Sequence, residues 1–258
     1  MVEDLSAAIQ RGLKTNIIGR KVFYLPSLPS TMDFARQEAQ KGASEGTVIM
    51  AGEQTEGRGR LKRKWLAPKG NIALSIILYP TISSLPYLMM IASLAVVQSI
   101  EKVTGFKGQI KWPNDILIGG KKVSGILIEN EVRGKEVEYS IMGIGINIEI
   151  KVNDYKEIAN TATSLKGKPS KDDLYTKLIR TLLEEINSLY RQLPDEKAIY
   201  RAWRKRLVTL SKKVKAQFGS QVIEGIAEDV DKDGALLIRG EDGKQTKVVA
   251  GDVTLKEK

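Results

Sequence analysis

The 258-residue sequence contains neither cysteine nor histidine. Without cysteine there is no disulfide, no thiolate nucleophile and no Cys/His zinc site; without histidine there is no imidazole general base. Catalysis in such a chain rests on placed charge, carboxylates, lysine, or a bound hard cation such as magnesium. A run of about eighteen apolar residues is also missing, so no transmembrane helix and no membrane partner are expected. The N-terminal segment carries Glu3, Asp4 and Arg11 and lacks an apolar signal core, which predicts a cytoplasmic protein. Acidic residues are in deficit: 31 Asp and Glu against 41 Lys and Arg leave a formal charge of +10. That balance points to anionic ligands or an acidic partner protein. Nucleic acid fits the charge alone, but the cations are spread along the chain and no helix-turn-helix or RNA-binding motif is visible.

What is present is organised around Gln54-Thr55-Glu56-Gly57-Arg58-Gly59-Arg60-Leu61-Lys62-Arg63-Lys64-Trp65. Its two glycines let the backbone approach a ligand closely. Arg58 and Arg60 offer forked donors to carboxylate or phosphate. Trp65 offers a flat face for stacking a base. A solvated basic loop would have the same composition. Five like charges, at Arg58, Arg60, Lys62, Arg63 and Lys64, disfavour a compact free state, so the loop is expected to be mobile until a ligand orders it.

Residues 1–20 read as a short helix and a loop, and strands are expected at 21–27, 47–54 and 71–79. Ser30-Thr31-Met32-Asp33 opens a helix to about Lys41. Ser30 and Asp33 have capping-box spacing, and the free N–H groups of a helix start also suit an anion or a polar ligand edge. Leu85–Thr104 reads as a buried helix with Pro86 in its first turn, Gly105 at its end and methionines as core filling. Lys111-Trp112-Pro113-Asn114-Asp115 is a polar kink between short apolar strands. Gly119-Gly120 predicts a hairpin turn into 122–131, and a turn near Gly134 leads to a strand over 136–150. Gly143 and Gly145 share one face of that strand, where glycine is unfavourable unless a ligand ring or a facing strand must come close. It is no dinucleotide fingerprint, because no helix follows and the third glycine is missing. A loop over 151–169 and amphipathic helices over 171–193 and 196–207 come next. Period-two segments at 214–218, 221–229, 235–239 and 245–250, punctuated by Gly219, Asp233-Gly234 and Asp242-Gly243, predict a small barrel-like β module.

Five features thus occur in order: Ser-Thr at a helix start, Gly-Arg-Gly-Arg running to Arg-Lys-Trp, Lys-Trp-Pro-Asn-Asp, Gly-Ile-Leu-Ile-Glu (125–129) and Gly-Ile-Gly-Ile-Asn (143–147). Together they resemble the biotin–protein ligases, over roughly residues 20–190 and the β module. The resemblance implies an α+β catalytic domain over 1–207, with a mixed β-sheet flanked by helices as in class II aminoacyl-tRNA synthetases. An SH3-like β-barrel over 208–258 is implied after it. It implies two steps. Biotin and Mg-ATP give biotinyl-5′-AMP and pyrophosphate, and the acyl group then passes to a lysine of a biotin carboxyl carrier protein.

The resemblance also implies roles. Lys111 would lie between the biotin carboxylate and the α-phosphate, with Arg58 and Arg60 on carboxylate and phosphate oxygens; Lys111 and Arg60 are the catalytic candidates. Ser30, Thr31 and Gln54 match positions that hold the biotin ureido ring, and Met32 stands where many relatives have Asn. Gly59, Gly125, Gly143 and Gly145 would border the bicyclic ring. Gly57, Trp65 and Asn147 would border the nucleotide, Trp65 packing on adenine. Asn114, also placed beside the nucleotide, and Asp115 would orient Lys111 or hold magnesium, and both readings stand. A homodimer through the Gly143–Asn147 region is implied. The repressor-type ligases carry an N-terminal DNA-binding domain; only about 20 residues precede the first expected strand here, so no specific DNA partner is expected. A lipoate–protein ligase shares the fold, although the octanoyl transferases of that superfamily rely on cysteine. A non-catalytic basic nucleic-acid-binding module is the reading from a different class.

Overall fold

The computed structural model describes residues 5–165, 171–218 and 221–255. Residues 166–169 of the expected loop and the turn at Gly219 lie outside that range. The N-terminal helix is α1 (Leu5–Gln10). The larger sheet is built from β1 (Val22–Leu25), β2 (Val48–Ala51), β3 (Ile72–Leu78), β4 (Gln109–Lys111), β5 (Asp115–Ile118), β6 (Lys121–Arg133) and β7 (Glu136–Ile146). Their order is β1-β2-β3-β7-β6-β5-β4, parallel between β1 and β2 and antiparallel elsewhere. Helix α2 (Thr31–Gln40) covers one face, and α3 (Leu85–Thr104) with α4 (Lys171–Arg191) covers the other. Helix α5 (Glu196–Lys205) leads into the second sheet.

Strand parity decides which face each side chain serves. On β3, Ile72, Leu74, Ile76 and Leu78 point into the main core with α3, while Ile77 joins Met32, Ala35 and Ala39 of α2. On β7 the residues in register with Leu74 and Ile72 are Ile144 and Ile146, so Gly143 and Gly145 fall on the α2 face. The expected strand over 136–150 ends at Ile146; just beyond it the amides of Ile148, Glu149 and Ile150 donate to Asn71 Oδ1 and not to a neighbouring strand.

Helix α3 ends as its sequence requires, with Gly105 left-handed at φ 76° and its amide on the Glu101 carbonyl. Residues 82–104 are long and apolar enough, by length and composition, to cross a bilayer, although no unbroken apolar run occurs. Of its most apolar eighteen-residue window 67% is buried inside the protein, as befits the central core helix.

The second sheet has one strand more than the sequence suggested. It comprises β8 (Lys213–Phe218), β9 (Gln221–Val230), β10 (Leu236–Arg239), β11 (Gln245–Val248) and β12 (Asp252–Leu255), in the order β11-β10-β9-β8-β12. With only Val253 and Leu255 facing inward, β12 offers too little alternation to read in advance. Among the described residues no ladder joins β11 to β12, so the expected barrel is an open antiparallel sheet. Its inward residues, including Val214, Ala227, Leu236 and Val253, belong to the same hydrophobic cluster as α3 and the larger sheet.

Candidate functional site

The site begins as a row across the larger sheet. Ala51 pairs with Ala73, Ala73 with Gly145, Gly145 with Gly125, Gly125 with Asp115, and Asp115 with Lys111. Four small residues therefore lie side by side on the α2 face, and the row ends in a carboxylate and an ammonium. The neighbouring row brings Ser75 beside Gly143 and Gly143 beside Leu127. Over this floor lies a cavity of about 340 Å³, within the size range of small-molecule sites.

One end of the cavity is built for hydrogen bonding without charge. The Thr31 amide and hydroxyl both donate to Gln54 Oε1, at 2.8 and 3.0 Å, and Ser75 Oγ donates to Thr31 Oγ1 at 2.8 Å. Ser30 precedes α2 but makes no side-chain cap bond, so the capping-box reading fails. Its buried hydroxyl has no protein partner and lines the cavity. Asp33 likewise does not reach back to the helix start; it pairs with Arg36 and Arg58.

The other end is cationic. Lys111, Arg60, Arg63, Lys64 and Lys122 line it together with Lys215 from β8. Among the described residues the Lys111 ammonium has no ion-pair partner. Lys122 pairs with Asp115 at 2.6 Å and lies 5.4 Å from the centre of the Trp65 ring. Arg60 donates to Asn114 Oδ1 and to the Gly251 carbonyl, both at 3.2 Å. Burial pulls the Arg60 pKa below the ordinary arginine value, with Asp252 and Asp115 opposing. A partly desolvated cation of this kind favours an incoming anion.

The 57–65 loop forms a small hairpin over the site, and each arginine ties it to a different wall. Gly59 N donates to the Arg63 carbonyl at 2.7 Å and Trp65 N to the Gly57 carbonyl at 2.8 Å. Arg58 reaches α2 and β6, Arg60 reaches Asn114, and Arg63 pairs with Asp252 of β12. Three of the five charges expected to repel one another thus have polar partners. Trp65 lies flat on the glycine row: a Cβ at Gly145 would sit 2.4 Å from its indole, and one at Gly125 would sit 3.0 Å from it. Met32 covers Gly143 in the same way: a Cβ there would collide with its Sδ.

Most sequence-predicted site residues converge on the cavity: Ser30, Thr31, Met32, Gln54, Arg58, Gly59, Arg60, Trp65, Lys111, Asn114, Asp115, Gly125, Gly143 and Gly145 all line it. Two do not. Asn147 is buried and donates to the Thr163 carbonyl at 3.0 Å, fastening the 161–165 loop. Gly57 forms the base of the hairpin, where a Cβ would meet the Trp65 carbonyl at 2.5 Å. Asn114 accepts from Arg60, and among the described residues no hydrogen bond joins it to Lys111. Trp112 of the same motif is a strut to the second sheet, its indole donating to the Gly234 carbonyl at 2.8 Å. Lys122, Lys215, Gln217, Asp252 and Thr254 also line the cavity and were not foreseen. Lys122 was legible as a lysine next to the Gly119-Gly120 turn, whereas nothing local in the sequence marks the β8 and β12 residues.

The described residues form no dedicated carboxylate cage for magnesium. Among the described residues no cluster of three or more acidic side chains exists, and Asp115 is already paired with Lys122. At Gly143–Asn147, where a dimer surface is implied, β7 is hydrogen-bonded on both sides, by β3 and by β6, so it offers no free edge for strand pairing.

Comparison with known proteins agrees with this geometry. Residues 24–147 match the model of the biotin/lipoate A/B protein ligase family, and residues 209–256 match that of the biotin protein ligase C-terminal domain. The chain is 35% identical over 253 residues to the bifunctional ligase/repressor BirA of Bacillus subtilis, covering 96% of this chain and 78% of that protein. It is 32% identical over 225 residues to the biotin–[acetyl-CoA-carboxylase] ligase of Paracoccus denitrificans, covering 83% of this chain and 93% of that one. Among solved structures, the biotin protein ligase from Aquifex aeolicus in complex with biotin and ATP superposes with a TM-score of 0.74 at 27% identity. That match covers 93% of this chain and 100% of the other.

Proposed function

The chain belongs to the biotin/lipoate A/B protein ligase family, and from that premise we infer that it is an ATP-dependent biotin–protein ligase. Biotin is activated as biotinyl-5′-AMP and then transferred to a carrier protein. One observation carries the assignment to this cavity. An uncharged hydrogen-bonding end and a cationic end lie at opposite ends of a floor of small residues, in a volume of about 340 Å³. A flat, neutral ureido ring suits the first end, and a carboxylate meeting a triphosphate suits the second.

In the first step a biotin carboxylate oxygen attacks the α-phosphorus. The new P–O bond forms as the bond to the bridging oxygen of the β-phosphate breaks, and pyrophosphate leaves. Two anions must approach, so fixed cations supply most of the catalysis. We assign this work to Lys111 and Arg60, with Lys122 as a further cation beside Gly125. Ser30, Thr31 and Gln54 hold the ureido ring, and Trp65 packs on adenine. In the second step the acceptor lysine amine attacks the acyl carbon, and AMP leaves. Magnesium is treated as part of the nucleotide substrate, and no step runs through a protein-held ion.

Residues 1–207 form the catalytic domain in this reading and 208–258 the C-terminal module. The acceptor is a biotin carboxyl carrier protein. The protein is cytoplasmic and, as the resemblance implies, a homodimer. The repressor activity named for the Bacillus relative is not carried over.

Biotin-dependent exchange of pyrophosphate into ATP tests the reading in one measurement. Exchange with biotin and none with lipoate is expected; exchange with lipoate alone would replace biotin by lipoate, and none with either would overturn the enzyme. Ser30→Ala probes the ring end. The hydroxyl has no protein partner, so its loss should leave the melting temperature within about 1–2 °C while raising the biotin KM about ten-fold. An unchanged KM would remove Ser30 from the ring site.

A further inference from the structure

Strand β4 has only three residues and, within the larger sheet, pairs with β5 alone. A strand so short at a sheet edge is held weakly unless something covers its free side. The chain that leaves α5 covers it. Ile110 N donates to the Arg206 carbonyl at 3.0 Å and Val208 N to the Ile110 carbonyl at 2.9 Å, a parallel rung with Leu207 opposite Ile110. Regular pairing would send the next donor, Trp112 N, to the Val208 carbonyl. It goes instead to the buried hydroxyl of Thr209, at 2.9 Å. Two residues later Ser211 turns left-handed at φ 62°, and the chain departs into β8.

Both ends of this segment are anchored. At its start the Arg206 guanidinium makes two hydrogen bonds of 3.0 Å to the two carboxylate oxygens of Glu101, in the last turn of α3. The bond to Arg206 holds the Glu101 carboxyl below the usual carboxylate range, against its burial. At its end Ser211 N donates to the Ala227 carbonyl at 2.7 Å. The two residues gripped in between, Ile110 and Trp112, flank Lys111. Lys111 lines the cavity, and among the described residues its ammonium has no ion pair. With no partner to steer it, the ammonium goes where the backbone of residues 110–112 sends it.

We propose that residues 206–209 serve as an eighth strand of the catalytic sheet, and that Thr209 and Arg206 are positioning residues that set the Lys111 ammonium against the reacting oxygens. The consequence for catalysis rests on the ligase reading; the support of residues 110–112 does not. A misplacement of about 1 Å at a reacting group can cost about a hundred-fold in rate. Loss of one of the three bonds to the segment should cost less than that.

The test compares Thr209→Val with Thr209→Ser. Valine keeps the shape but leaves Trp112 N without its acceptor, whereas serine keeps the acceptor. Thr209→Val should slow single-turnover formation of biotinyl-AMP about five- to ten-fold, with half-saturating biotin and ATP changed less than about two-fold. Thr209→Ser should stay within about two-fold of the wild-type rate, and amide exchange at residues 110–112 should accelerate about ten-fold in the valine variant alone. Pairing with Lys111→Ala separates positioning from stability. In that background Thr209→Val should change the rate less than about two-fold, because its effect passes through the missing ammonium, while the melting temperature still falls. Arg206→Ala, at a partly exposed pair, should repeat the pattern at about two- to four-fold.

An unchanged rate beside accelerated exchange would leave the segment a stabilising role only and overturn the proposal. So would the full loss of rate in the Lys111→Ala background, a serine variant as slow as the valine one, or raised half-saturation at an unchanged maximal rate. If Thr209→Val does not fold, Arg206→Ala decides by the same criteria. If the wild-type protein forms no biotinyl-AMP, the ligase reading fails, and amide exchange alone decides whether the segment supports residues 110–112.

Discussion

Lys111→Ala will slow single-turnover formation of biotinyl-AMP by about a hundred-fold or more and leave the fold intact. Lys111 closes the ladder row opposite Asp115 and lines the cavity, and among the described residues its ammonium has no ion pair. A cation with no structural partner is available to the reaction. Charge rises where a carboxylate meets a phosphate, and one fixed cation is worth a few kcal/mol of transition-state stabilisation, hence the hundred-fold. Folding should be unaffected because no salt bridge is lost. Lys122→Ala makes the informative comparison. It also slows adenylation, but it strips Asp115 of its partner at 2.6 Å and Trp65 of a nearby cation, so ATP binding should weaken as well. Near-wild-type adenylation by Lys111→Ala would sink the assignment and leave Lys122 as the principal cation.

The floor of the cavity gives the second large effect. Gly145→Ala should cut adenylation at least ten-fold with little change in melting temperature, whereas Gly143→Ala should cut it only two- to three-fold. In both cases the new Cβ meets a side chain at 2.4 Å, too close to tolerate. What differs is the neighbour. Over Gly143 it is Met32, an unbranched thioether that swings aside at small cost. Over Gly145 it is the rigid Trp65 indole, which also touches Gly125 and cannot shift without lifting the end of the hairpin. Stability should hold, because alanine in a strand restricts the unfolded chain and offsets part of the crowding. Far-UV circular dichroism and the two adenylation rates check this. Equal rates for the two variants would mean that Trp65 is not seated on the floor during catalysis.

These contrasts mark how far the sequence could be read. The hairpin residues, the Lys111–Asp115 kink and the paired glycines were legible because each breaks a local rule: glycine inside strands, clustered like charge, a proline-fixed bend. Their convergence follows from strand parity, which the sequence carries. The partners of Arg58 could not be read in advance, because an arginine that binds a ligand and one that binds Asp33 and Glu129 look alike until the partners are placed in space. Asn147 was misread for a related reason: its amide serves the Thr163 carbonyl, a contact set by an irregular loop. The wall formed by Lys215, Gln217 and Thr254 had no local signature at all. Those residues look like the ordinary outward face of a small sheet, and only the docking mediated by Trp112 and the shared core makes them part of the site.

The ladder register of β7 also governs how this chain can vary in length. Gly143 and Gly145 alternate with Met142, Ile144 and Ile146, which serve the opposite face. One inserted or deleted residue between Ser140 and Ile146 would turn the strand over, driving branched side chains into the ligand floor and glycines into the core. Lineages that keep the activity should therefore show no odd-numbered gap in this segment. Length change belongs at the far end of the β6–β7 ribbon, where Arg133 pairs with Glu136 across the left-handed Gly134. Loop grafts or peptide tags placed there leave the floor in register.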